Sequence, residues 1–127
     1  MPLTKVETDK APAAIGPYSQ AIKVADFLYC SGQVPLVPGS GELVAGGIEE
    51  QTRQSLDNLK YVLSEAGIDF NSVVKTTIYL TDLDDFSVVN EIYAGYCGVV
   101  APARATVQVA ALPKGAQVEI DAIAYLG

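Results

Sequence analysis

The segment from Gln117 to Leu126 constrains this chain most. Val118, Ile120, Ala122, Ala124 and Leu126 alternate onto one side, and Glu119, Asp121, Ile123 and Tyr125 onto the other, because successive strand residues point to opposite faces. The first side is wholly apolar. The second is too apolar to be left wet. A sheet holding this strand therefore needs cover on both faces.

The rest of the chain supplies cover for only one. Ser19 to Gln33 reads as a hairpin turning at Ala25-Asp26, and Pro35 to Gly47 as a Pro- and Gly-rich loop. Ile48, Thr52, Ser55, Leu56, Leu59, Val62, Leu63 and Ala66 recur at helical spacing, with Glu49 and Glu50 at the positive end of the dipole and Gly67 as the stop. Val73 to Leu80 is β-branched and strand-like. Asp82 is placed to cap a second helix reaching about Cys97, with Asp84 and Asp85 in its first turn and Phe86, Val89, Ile92, Tyr93 and Tyr96 as its buried stripe. Ala105 to Val109 and Gln117 to Leu126 complete the strands, joined through a Leu112-Pro113-Lys114-Gly115 turn. The expected fold is an α+β sandwich, one domain over residues 1–127, with two helices on one face of one sheet. The uncovered face predicts an oligomer with clefts between subunits.

Composition narrows the chemistry. The chain has no histidine, which removes Ser-His-Asp, Cys-His and His-zinc sites, and its glycines form no dinucleotide or phosphate-loop fingerprint. Fifteen acids against eight bases give a net charge of −7, which repels a polyanion such as RNA. Cys30 and Cys97 match no metal or redox spacing and read as reduced packing thiols. No apolar run approaches the length of a membrane span, and the N-terminus lacks the apolar core of a signal peptide. A cytoplasmic address is expected, with an organelle open if a transit peptide has been removed.

Arg53 and Arg104 are the only arginines. Arg53 falls on the polar face of the first helix and reads as a solvated charge. Arg104 follows Pro102-Ala103 at a strand start, sharing a strand face with Thr106. Its planar fork suits a carboxylate ligand held by two parallel hydrogen bonds, or else an ion pair with an acid of its own or a neighbouring subunit. Glu119 is expected on the neighbouring strand between Val118 and Ile120, where burial raises a carboxylate's proton affinity and fits it for general acid–base work; an ion pair to a lysine is the other reading. Tyr18, Ser31 and Asn90 are polar groups fit to line a pocket, or to serve as turn and cap residues.

Gly16-Pro17-Tyr18-Ser19-Gln20-Ala21, Ser31-Gly32-Gln33-Val34-Pro35, Asn90, and Pro102-Ala103-Arg104 with Leu112-Pro113 and Glu119-Ile120 resemble the RidA/YjgF family in order and spacing. The resemblance covers about residues 12 to 126. It implies a chorismate-mutase-like fold assembled as a homotrimer with sites between subunits. The implied activity is hydrolysis of 2-iminobutanoate and 2-iminopropanoate, released by PLP-dependent dehydratases, to 2-keto acids and ammonia. On that resemblance Arg104 holds the substrate carboxylate, and Glu119 holds and polarises water with help from the Thr106 carbonyl. Tyr18, Ser31 and Asn90 line the pocket, and the Gly32 backbone approaches the ligand. Many bacterial members carry cysteine where this chain has Thr106, so a thiol-dependent step there is ruled out. An iminium carbon is already electrophilic, so neither a cofactor nor a metal is called for.

Two other functions compete. One is a non-catalytic regulator that binds keto or imino acids; the other, also attached to this family, is an endoribonuclease or translation inhibitor. The latter is disfavoured by the missing histidine, the absent basic patch and the net charge. A chaperone role driven by exposed apolar surface stays open at this level.

Overall fold

A central strand flanked by longer-range partners organises the computed structural model, which describes residues 2–127. The elements run β1 (Thr4–Val6), β2 (Ala21–Val24), β3 (Phe27–Gln33), α1 (Ile48–Glu65), β4 (Val73–Leu80), α2 (Phe86–Tyr96), β5 (Ala103–Gln108) and β6 (Val118–Tyr125). They form one six-stranded mixed sheet of order β1-β2-β3-β6-β4-β5. Only β4 and β5 pair in parallel, and α2 makes the crossover a parallel pair requires.

Both helices cover the same face. Leu28, Ile78, Leu80, Val118, Ile120 and Ala124 of the strands pack against Leu56, Leu59, Val62 and Leu63 of α1 and Val89 and Ile92 of α2. The α+β sandwich expected from the sequence is thus the observed fold. On the other face Phe27, Tyr29, Val107 and Tyr125 stay between 39 and 48 % exposed. An aliphatic and aromatic sheet surface of this kind in water is the feature that the alternation in β6 foretold.

Local chemistry explains the boundaries. Ala25 takes a left-handed conformation (φ 52°) in the β2–β3 turn expected at Ala25-Asp26. The Glu50 side chain reaches back to the Gly47 amide at 2.8 Å and closes the start of α1. Asp82 does cap, accepting from the Asp84 amide at 2.9 Å, but what it caps is a short 3₁₀ turn over Leu83–Asp85. The α-helix proper begins at Phe86.

One expectation fails. The strands bearing Arg104 and Glu119 are not neighbours, because β4 lies between β5 and β6. The parallel crossover through α2 sets β5 outside β4, and β6, able to bury both sides, takes the centre between β3 and β4. The short edge strand β1, paired with β2, was not anticipated either.

Candidate active site in two halves

Arg104 stands opposite Thr76 in the parallel β4–β5 pairing, and so shares the helix-covered face with Thr76 and Thr106. Its guanidinium carbon lies 5.2 Å from the centroid of the Tyr93 ring and 5.4 Å from that of Phe86. Nη1 donates to Asn90 Oδ1 at 2.7 Å. Phe86, Asn90 and Tyr93 are spaced i, i+4, i+7 and therefore line one side of α2. Tyr93 is itself fixed by a 2.7 Å hydrogen bond between its hydroxyl and Thr76 Oγ1. Among the described residues the bond to Asn90 is the one side-chain hydrogen bond of Arg104, out of the five N–H donors a guanidinium carries. Among the described residues no acid pairs with Arg104; the one ion pair there is Lys5–Glu7 at 3.6 Å. The fork opens onto a cavity of about 580 Å³ walled by Tyr93, Cys97, Val99 and Pro102. Thr106 Oγ1 is buried without a hydrogen-bond partner among the described residues.

Glu119 stands opposite Tyr79 in the antiparallel β4–β6 pairing, on the face that the helices leave open. Across β3 the register slips between Cys30 and Gln33, so Ser31 and Gly32 form a bulge. The bulge seats Gly32 directly under the glutamate: a Cβ there would lie 2.7 Å from Glu119 Cδ, closer than atoms tolerate. Ser31 Oγ donates to the Ser19 carbonyl at 2.6 Å. Tyr18 is about half exposed, and with Ser31, Gly32, Val34 and Glu119 it lines a cavity of about 550 Å³. Burial, and then the nearby Asp121 charge, raise the proton affinity of the Glu119 carboxyl above the ordinary glutamate value. No lysine pairs with it among the described residues.

Asp121 anchors this half. Its Oδ1 accepts the Thr77 amide at 2.9 Å and its Oδ2 the Tyr79 hydroxyl at 3.1 Å. The same charge, after burial, pushes Tyr79 up, and Cys30 up to about 12, so Cys30 is an inert packing thiol.

The residues singled out from the sequence thus gather into two groups. Arg104, Asn90 and Thr106 lie on the helix side of β5, while Tyr18, Ser31, Gly32 and Glu119 lie on the open side of β3 and β6. A molecule gripped by Arg104 cannot touch Glu119 of the same chain. Sequence reading missed Phe86 and Tyr93 as ring partners of Arg104, having placed them only in a buried stripe; their helical spacing from Asn90 was the available signal. Asp121 carried no comparable signal, since its role depends on the neighbouring strand.

Residues 8–126 match the family model described as Endoribonuclease L-PSP. The 2-iminobutanoate/2-iminopropanoate deaminase of Mus musculus is 58 % identical over 122 residues, spanning 96 % of this chain and 90 % of its own. Reactive Intermediate Deaminase A, chloroplastic, of Arabidopsis thaliana is 54 % identical over 95 % of this chain and 65 % of its own. The crystal structure of YyfA from Yersinia pestis, a protein of unknown function of the conserved Rid family, superposes with a TM-score of 0.94 at 53 % identity, covering 98 % of this chain and 99 % of that one.

Proposed function

We infer the activity from one premise: this chain belongs to the RidA/YjgF family, that of the endoribonuclease L-PSP model. It is an enzyme, a 2-iminobutanoate/2-iminopropanoate deaminase, like the mammalian relatives of that name. Its substrates are small 2-imino acids and its products 2-keto acids and ammonia. The observation that carries the reading onto this chain's own residues is Arg104, stacked, hydrogen-bonded and without an acid partner among the described residues.

The chemistry follows from what each half offers. Arg104 holds the substrate carboxylate through its other N–H donors and fixes the orientation of the adjacent C=N carbon. Glu119, with the Thr106 carbonyl, holds water in line with that carbon. As the water oxygen bonds to carbon, Glu119 takes its proton, and the C=N electron pair moves to nitrogen. With the substrate as its iminium, Glu119 then returns the proton to the amino group; as the C–N bond breaks, the hydroxyl proton passes to Glu119, the C=O forms and ammonia departs. A carboxylate of raised proton affinity suits these transfers. Tyr18, Ser31, Gly32 and Asn90 shape the pocket.

The places of Arg104 and Glu119 on opposite sheet faces support a site shared between subunits. We place Arg104 of one subunit against Glu119 of the next, in a homotrimer that covers the apolar open face and holds three sites. The half-exposed Phe27, Tyr29 and Tyr125 support that assembly. Nucleic acid is a poor ligand for a chain of net charge −7. No helix among the described residues is long and apolar enough to cross a membrane. The cytoplasm is the proposed address, the chloroplastic relative making an organelle the alternative.

The test is a coupled assay in which threonine dehydratase releases the enamine and imine in the presence of semicarbazide. Wild type is expected to divert flux from semicarbazone to free 2-ketobutyrate, and Arg104→Ala to lose that effect at least about a thousandfold, as when a charged anchor of the transition state is removed. Full activity in Arg104→Ala would overturn the assignment. Ketobutyrate binding by wild type without any diversion of flux would point to the regulator instead.

A further inference from the structure

Gln20 belongs to the Gly16–Gln20 motif, yet none of the roles above uses it. Its side chain is 97 % buried, its exposure being 3 %. Oε1 accepts the Thr8 amide at 2.7 Å. Nε2 donates to the carbonyl oxygens of Thr8 at 3.1 Å and Pro12 at 2.8 Å, with Ala11 a longer third partner at 3.4 Å. Its main-chain carbonyl accepts the Ser31 amide at 2.9 Å. One residue therefore ties the Thr8–Pro12 segment to the bulge beneath Glu119.

The segment from Thr8 to Tyr18 has no strand or helix of its own. Besides the burial of Ala11 and the Lys10 ammonium 5.9 Å from the Tyr61 ring, the Gln20 side chain supplies the hydrogen bonds that tie the segment to the rest of the fold. Open space flanks it on both sides. Ala13, Tyr18 and Gln20 line the Glu119 cavity, and the same three residues line a second cavity of about 400 Å³ toward Lys5, Glu7 and Glu65. A wall with room behind it keeps its place only if something holds it.

We propose that Gln20 is a positioning residue of the active site, latching the Thr8–Tyr18 strap so that Tyr18 is held across the mouth of the Glu119 cavity. Its kinetic consequence rests on the deaminase reading; its structural consequence does not. The latch acts on capture of the substrate, because Tyr18 borders the pocket while Arg104 and Glu119 are held by other elements.

Gln20→Glu keeps the acceptor for the Thr8 amide but turns the donor into an oxygen facing backbone carbonyls, and Gln20→Met removes both functions at similar size. Both variants are expected to raise KM about tenfold with kcat little changed, the signature of a misplaced binding wall. Hydrogen exchange is expected to speed up in peptides covering residues 8–18 while β3, β4 and β6 keep their protection. A fall in Tm with KM and strap exchange unchanged would overturn the proposal, as would a raised KM with an unmoved strap. Should neither variant fold, the wild-type Thr8 amide decides: slow exchange outside any strand or helix supports the latch, and exchange at the rate of a free loop contradicts it. If wild type itself fails to hydrolyse imines, the deaminase reading falls while the exchange data still test the latch.

Discussion

The Arg104 half and the Glu119 half solve opposite problems with the same sheet. Arg104 is permanently charged, and α2 surrounds it with two ring faces and an amide oxygen, partners that orient a cation without neutralising it. The role proposed for Glu119 requires it to change its charge; β3 and β6 seat it against Gly32, and burial and the Asp121 carboxylate favour its protonated form. One half fixes a charge and the other makes a charge exchangeable. Within one chain the two lie on opposite faces of the sheet, so they meet only across the proposed subunit contact.

Removing the exchangeable charge should have the larger effect. Glu119→Gln is expected to lower kcat about a hundredfold to ten-thousandfold, the usual range for loss of a general base, while binding of 2-ketobutyrate survives. A variant with nearly wild-type kcat would reduce Glu119 to a pocket wall. The rings around the fixed charge should respond more mildly. Phe86→Ala removes one of two rings under the guanidinium, worth about 0.5–1 kcal/mol at an exposed site, and is expected to raise KM two- to fivefold with the pH dependence unmoved. A shift of the pH profile in Phe86→Ala would break the division of labour.

The smallest effect is on stability, and its sign separates the halves. Because the folded state raises the Glu119 carboxyl above its unfolded value, it binds the proton more tightly than the unfolded chain does. That contribution is fully present below the unfolded value and is lost as pH rises through the folded one. Glu119→Gln should therefore melt higher than wild type at neutral pH, with the gap closing at acidic pH. Thermal melts across that range check it, and a variant that melts lower at neutral pH would contradict the burial argument.

How much of this was legible in the sequence follows from which interactions are local. The alternation in β6 gave both of its faces, and α1 showed its stripe and its glycine stop, because strand and helix periods act over a few residues. Arg104 and Thr106 could be set on one face for the same reason. Strand order could not, since nothing in Ala103–Gln108 or Val118–Tyr125 states that β4 will lie between them. Arg104 and Glu119, 15 positions apart in sequence, consequently looked like neighbours and proved to lie on opposite faces. The Ser31–Gly32 bulge and the Gln20 latch were hidden likewise: each exists only through partners on other segments. The motif residues were visible as a set; their division into two half-sites is a property of the sheet.

Subunit mixing tests the central claim most directly. Arg104→Ala and Glu119→Gln, each inactive alone, would be co-refolded in equal amounts and assayed for imine hydrolysis. If each site joins Arg104 of one subunit to Glu119 of the next, random mixing leaves about a quarter of the interfaces with both residues intact, and activity should return to about a quarter of wild type. Mixtures that form, by mass spectrometry, yet stay as inactive as their parents would contradict a site shared between subunits.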